Sequence, residues 1–258
     1  MATWAQRRRA KYIGTFITGV VILSFIPAYY LTRTTPTCVD GKQNQDEVGV
    51  DCGGSCPYLC ASQVAPMTVQ WSRSFPIGEG LYNAVARVEN PNDEAAIGGI
   101  NYLFRFYGEN GILLGEREGT TFIADAGVTP IFEPRIEVPA GREIIRTTFE
   151  FTTAVTPWRP LASPKEVSVE SQRLVRSGEE PRIDAVIEND GFEPINDLII
   201  VAIVYDPRGN AMAATQTIIE EFPPRSDMDV FFAWPTPFPD TVSKIEVFPR
   251  IPPDLERF

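Results

Sequence analysis

The chain has 258 residues, 43% hydrophobic and 22% charged, a globular composition with room for one large domain or two small ones. Its formal charge of −11 and pI near 4.6 lack the basic footprint of a nucleic-acid binder. It contains no histidine, which excludes histidine-dependent triads, histidine-ligated zinc, haem on a proximal histidine and a histidine proton shuttle.

The charge of −11 divides into +5 over residues 1–35, from Arg7, Arg8, Arg9, Lys11 and Arg33, and −16 over the rest. Between Lys11 and Arg33, Tyr12 to Leu31 carry no charge. A helix of that length at ~1.5 Å per residue spans ~30 Å, the thickness of a bilayer core. Residues 1–11 are therefore expected to be a cytoplasmic basic tail and 12–31 a transmembrane helix. Tyr12, Tyr29 and Tyr30 would sit at the interfaces, with Pro27 in the last turn. A cleaved signal peptide is the alternative, but the apolar run exceeds the usual ~7–15 residues and no small-x-small site follows. A lipoprotein fits less well, because Cys38 follows the polar run TRTTPT. The basic cluster predicts a cytoplasmic N-terminus and an extracytoplasmic bulk, on a single-pass signal-anchor.

Cys38, Cys52, Cys56 and Cys60 all lie within residues 36–62. An even number outside the membrane predicts two disulfides, with three pairings open. A four-thiolate zinc site and a redox pair both usually want CxxC, which is absent. The loop is rich in oxygen ligands, and Asp40, Asn44, Glu47 and Asp51 are the candidate calcium set, with Gly41, Gly49, Gly53 and Gly54 allowing tight turns. The bland reading is an acidic solvated loop held by disulfides alone. The pattern C-x-D-G-x-x-N-x-x-E-x-G-x-D-C-G-G-x-C resembles a cysteine-rich motif of secreted and surface-anchored proteins. That resemblance implies an extracytoplasmic, disulfide-bonded spacer that calcium could stabilise.

After Pro66, runs such as TVQW, NAVARV, YLFRFY, LIIVAIVY and KIEVF alternate with Gly, Pro, Asn and Asp clusters, and no 3.6 period persists. With 23 Pro and 19 Gly this reads as all-β. An internal repeat divides it. Ala86–Pro91 matches Ala185–Asp190 at an offset of 99, and Phe106–Gly111 matches Val204–Gly209 at 98. The reading sets Pro139 and the strand ending in Phe151 against Pro223 and the strand holding Phe231 and Phe232. In Tyr205-Asp206-Pro207-Arg208-Gly209, Pro207 presets a type I turn and Gly209 takes the left-handed position, as Gly111 does in the first copy.

V-x-N-P-N followed by Y-x-F-x-F-Y-x-x-x-G resembles the immunoglobulin-like sandwich of water-stress (late-embryogenesis type 2) domains. I-x-N-D followed by I-V-Y-D-x-x-G-N resembles FxLYD domains of bacterial surface proteins. The resemblance implies two tandem immunoglobulin-like β-sandwiches without a catalytic centre, over residues 66–163 and 164–258. Segment 160–176 is expected to close the first and open the second, giving a stiff rod of two stacked sandwiches.

Chemistry is sparse. The acid pairs Asp93/Glu94, Glu179/Glu180, Glu220/Glu221 and Asp227/Asp229 lie beside turn residues and read as a solvated face. No G-x-S-x-G, P-loop or strand-borne G-x-G-x-x-G occurs. Trp71, Trp158 and Trp234 read as packing residues. The expected function is therefore non-enzymatic: a membrane-anchored scaffold or envelope-assembly subunit, with a protein partner or self-association. A ligand-, ion- or glycan-binding surface module is the alternative. A direct protein partner is expected to present a basic surface.

Overall fold

The computed structural model describes residues 4–32, 37–124, 126–153, 158–161 and 167–253. The apolar run forms a single helix, α1 (Trp4–Thr32), long and apolar enough to cross a membrane. It starts eight residues before the predicted span, because Ala, Gln, Arg and Lys are good helix formers and carry it through the basic cluster. Thr15 and Thr18 donate their hydroxyls to the carbonyls of Lys11 and Gly14, both at 2.9 Å, so neither needs water. The side chains of Tyr29 and Tyr30 lie outside the described ones.

The rest of the described chain is mostly β. The strands are β1 (Thr68–Gly78), β2 (Leu81–Asn90), β3 (Ala95–Tyr107), β4 (Leu113–Ile123), β5 (Gly127–Glu137), β6 (Arg146–Phe151) and the two-residue β7 (Arg159–Pro160). They continue with β8 (Val167–Arg176), β9 (Arg182–Asn189), β10 (Ile195–Tyr205), β11 (Ala211–Phe222), β12 (Ser226–Ala233) and β13 (Lys244–Arg250). Every pairing is antiparallel. In the first half, sheet β1-β2-β5 covers sheet β4-β3-β6, which β7 extends; in the second, β8-β9-β12 covers β11-β10-β13.

The two halves thus repeat one topology. Each pair of sheets encloses its own core. The first gathers Ala84, Ala86, Val88, Phe104, Phe106 and Phe149; the second gathers Ile183, Ile187, Leu198, Val204, Phe222 and Phe232. The sheets also meet along matching edges. Ser72 donates to the Thr147 carbonyl (2.9 Å) in one half, and Gln172 to the Ile245 carbonyl (2.9 Å) in the other. Asn90 and Asn189 end β2 and β9 in the same way, each accepting from the N–H two residues on. Gly111 (φ 73°) and Gly209 (φ 80°) take the left-handed positions their turns require.

Three expectations change. The strand ending in Phe151 (β6) corresponds to β13, not to the strand holding Phe231 and Phe232, which is β12 and matches β5. Their Phe-rich patterns are alike, and pairing partners rather than composition separate them. Strand β5, which holds Pro130 and Pro134, is not among the runs that the sequence marks as strands. It is an edge strand, where missing N–H groups are tolerated. The segment 160–176 does not supply one shared strand: β7 pairs with β3, and β8 pairs with β9. Residues 162–166, which include the expected boundary, lie outside the described ones.

The halves meet face to face. The outer face of β1-β2-β5 packs on that of β11-β10-β13, joining Phe75, Val85 and Phe132 to Val201, Ile203 and Ala214. The sheets lie in four layers instead of forming an end-to-end rod. That explains the unbroken run Ile199–Tyr205: β10 is covered on both faces, and Ile200 through Val204 are all 0% exposed.

Candidate functional site: the disulfide module and the seam

The module between helix and β block is built from covalent and polar contacts. Cys38 pairs with Cys56 and Cys52 with Cys60, a crossed arrangement that spacing left open. The D-C-G-G stretch is dictated by close approach. At Gly54 (φ +62°) a Cβ would overlap the Asp46 carbonyl, and at Gly53 (φ +74°) it would press on Val48. Ser55 donates to the Asp46 carboxylate (2.8 Å), and that bond leads the contacts holding this carboxyl below its usual range.

The structure brings Asp40, Asn44, Glu47 and Asp51 into this one loop, and each of the three carboxylates accepts from backbone N–H groups. Asp51 accepts from the backbone of Asp40 (3.0 Å) and Gly41 (3.0 Å). Buried Glu47 accepts from Asn44 N–H (3.0 Å), and its other oxygen lies 3.3 Å from the Cys56 sulfur, which as half of a disulfide has no proton to donate. Asp40 accepts from Lys42 N–H (3.0 Å) and the Asn44 amide (2.9 Å); the latter is the leading cause of its lowered pKa. Asn44 Oδ1 is buried without a hydrogen-bond partner. Among the described residues, the group of acids and sulfurs near enough to share an ion is Cys38, Glu47 and Cys56, whose sulfurs are already bonded.

The module is fastened to the first half. Leu59 N–H donates to the Trp158 carbonyl (2.9 Å), and Trp158 is buried among Ala95, Ile97, Ile100 and Ile123. Asn92 exchanges two hydrogen bonds with the Ala65 backbone (2.7 and 2.9 Å), and Arg159 stacks over Tyr58. Trp158 therefore packs as the sequence suggested, though its role as the module's seat was not visible there.

Polar groups flank the apolar seam. Arg87 reaches across to Glu246 (2.8 Å) and to the Tyr205 hydroxyl (2.9 Å). Burial first, then its hydrogen bond to Glu246, holds the Tyr205 hydroxyl well above its ordinary pKa. Burial pushes Glu246 up, yet hydrogen bonds from Lys244 and Tyr205, with the Arg87 charge, outweigh it and leave Glu246 below its usual range. Asn83 donates to the Ala214 carbonyl (3.3 Å), and Arg250 to Thr121 and the Phe122 carbonyl (both 2.8 Å). Sequence reasoning missed these residues; each falls on a strand position that would face solvent in a lone two-sheet unit. Cavities open at the seam, one of about 470 Å³ beside Phe122, Asp190 and Arg250, another of about 360 Å³ beside Phe75, Trp234 and Phe238.

No protein-family model matches the chain, and no curated protein does. Solved structures that it resembles include a transglutaminase of red sea bream, 14% identical over 73% of this chain and 29% of that one, with a TM-score of 0.25. A putative β-galactosidase from Bacteroides fragilis is 15% identical over 69% and 33%, with a TM-score of 0.21. A β-glucuronidase of glycoside hydrolase family 2 is 12% identical over 81% and 26%, also at 0.21. The chain spans about a third or less of each of these proteins. At such scores the likeness bears on neither fold nor chemistry.

Proposed function

We propose that this chain is a non-catalytic, membrane-anchored scaffold: a structural or interaction protein that holds two tandem immunoglobulin-like sandwiches outside the membrane as one rigid body. The observation that carries this reading is the set of contacts that joins the module and the two halves among the described residues. A doubly crosslinked module is bolted to the first half through Trp158 and Asn92, and an apolar seam fixes the first half to the second. A rigid body close to an anchoring helix is suited to presenting a surface to envelope components. The basic cluster before the apolar run supports a cytoplasmic N-terminus, and the disulfides support an oxidising compartment for the remainder.

Crosslinking in intact membranes followed by mass spectrometry tests this. A recurrent partner set is expected; capture of nothing but lipid would reject the scaffold role. The seam cavities favour a second reading, a ligand-binding module, for which a small-molecule thermal-shift screen is the direct assay. Calcium is the ion we assign to the module, with the buried Asn44 Oδ1, which has no hydrogen-bond partner, as one candidate ligand atom. Identical melting with calcium and with chelator would reject that assignment.

A further inference from the structure

Trp234 packs in the core of the second half, yet one of its groups is left over. The side chain is 4% exposed, and its indole Nε1–H is buried with no hydrogen-bond partner among the described residues. A buried donor without an acceptor is costly, and phenylalanine would fill a core without that cost. The indole also lines the smaller seam cavity, of about 360 Å³. The first half walls this cavity with Phe75, Pro76 and Ile77 from the end of β1. The second walls it with Met212 from β11 and with the run Trp234-Pro-Thr-Pro-Phe-Pro, in which the Phe238 ring packs against the indole (5.1 Å between centroids, 68° between planes). Three prolines in six residues hold that run in shape, so the wall is formed before anything binds. Glu79, an exposed residue, is the charged side chain among the described lining residues.

We propose, resting on the ligand-binding reading of the chain, that this cavity takes a neutral, largely apolar organic molecule whose carbonyl-type oxygen accepts the hydrogen bond from Trp234 Nε1. Three observations select that class. The volume lies within the ~300–1,000 Å³ of small-molecule sites, and the place, between two packed units, is one where such sites form. The aromatic, proline and aliphatic wall favours apolar surface over polar. The unused donor asks for one acceptor, while the carboxylate of Glu79 repels an anion. Water could also accept from the indole, but it needs two to four polar partners, and a mostly apolar wall serves it poorly. Because both halves line the cavity, the ligand touches both sides of the seam.

The test is NMR of the full chain in detergent micelles, with nitrogen-labelled indoles and carbon-labelled methionine methyls, titrated with acetophenone, ethylbenzene and benzoate. Acetophenone should move the Trp234 Nε1–H resonance downfield and saturably, with a Kd on the order of 1 mM, and leave Trp71 and Trp158 in place. Trp4, on α1, reports a probe that merely enters the micelle. Ethylbenzene, which lacks the oxygen, should bind about tenfold more weakly, and benzoate should not bind. Read at the Met212 methyl, Trp234→Phe should erase the preference for acetophenone over ethylbenzene. Gly78 also lines the cavity, and a Cβ there meets nothing nearer than Leu81 at 3.9 Å, so Gly78→Phe should keep the wild-type melting transition and abolish binding. A Trp234 resonance that stays still, equal affinity for ethylbenzene, or binding indifferent to Gly78→Phe would each overturn the inference. The small-molecule screen separates this failure from that of the reading beneath it: a hit that moves Val128 and Phe248 at the larger cavity instead of Trp234 keeps ligand binding and rejects this site, whereas a screen without a hit rejects both.

Discussion

Strands β2 and β9 sit at the same place in the same topology, yet their outward residues have opposite fates. At an offset of 99, Asn83, Val85, Arg87 and Glu89 correspond to Arg182, Asp184, Val186 and Glu188. In the first half Val85 is 0% exposed under the second half, with Asn83 and Arg87 hydrogen-bonded across the seam. In the second half Asp184 holds that position and the face stays open. Inward residues and turns set the topology of each half, whereas outward residues decide what each half packs against.

The comparison breaks most severely at Val85. Val85→Asp gives the first half the residue its counterpart carries and leaves an unpaired charge in an apolar seam. It should cost about 4 kcal/mol or more and separate the unfolding of the halves, as chemical denaturation would show. The next effect concerns the module that the first half alone carries. Replacing Cys38 and Cys56 with Ser should cost about 2–5 kcal/mol in the module and raise exchange of the Leu59 amide, while β9 and β10 amides keep their protection. Arg87→Ala removes a cross-seam partner of Glu246 and should destabilise by about 1–3 kcal/mol in urea melts.

The smallest effect sharpens the open face. Glu188 is raised to about 7 by its hydrogen bond with Glu170, then by the charge of Asp190, burial and Asp227. A carboxyl raised on folding is tolerated best when protonated. Stability is therefore full below the ordinary glutamate range and falls as pH climbs through about 7. Glu188→Gln should remove that slope, with melting raised more at pH above 7 than below 5; equal shifts at both ends would contradict the cluster's role.

Much of this was legible in the sequence. The repeat was visible because Asn90 and Asn189, Gly111 and Gly209 perform turn chemistry that few residues can. The clustered cysteines marked the module, and the uncharged run marked the helix. The disulfide pairing was not legible, because three connectivities satisfy the same spacing. The Trp158 seat was hidden because one buried tryptophan reads like any other. The seam was hidden for a subtler reason: Leu198–Tyr205 reads as one strand among many, although an unbroken apolar run means burial on both faces. Strand β4 is masked because Glu116, Arg117 and Glu118 charge an edge strand, and β5 by its prolines.

The central claim is that the seam fuses the two halves into one cooperative body. Native-state hydrogen exchange on the full chain in micelles tests it most directly, by comparing opening free energies of the core amides of β2 and β10. The account predicts that both report the same opening, and that Val85→Asp drives them apart. Two distinct opening free energies in the wild type, each belonging to one half, would contradict it.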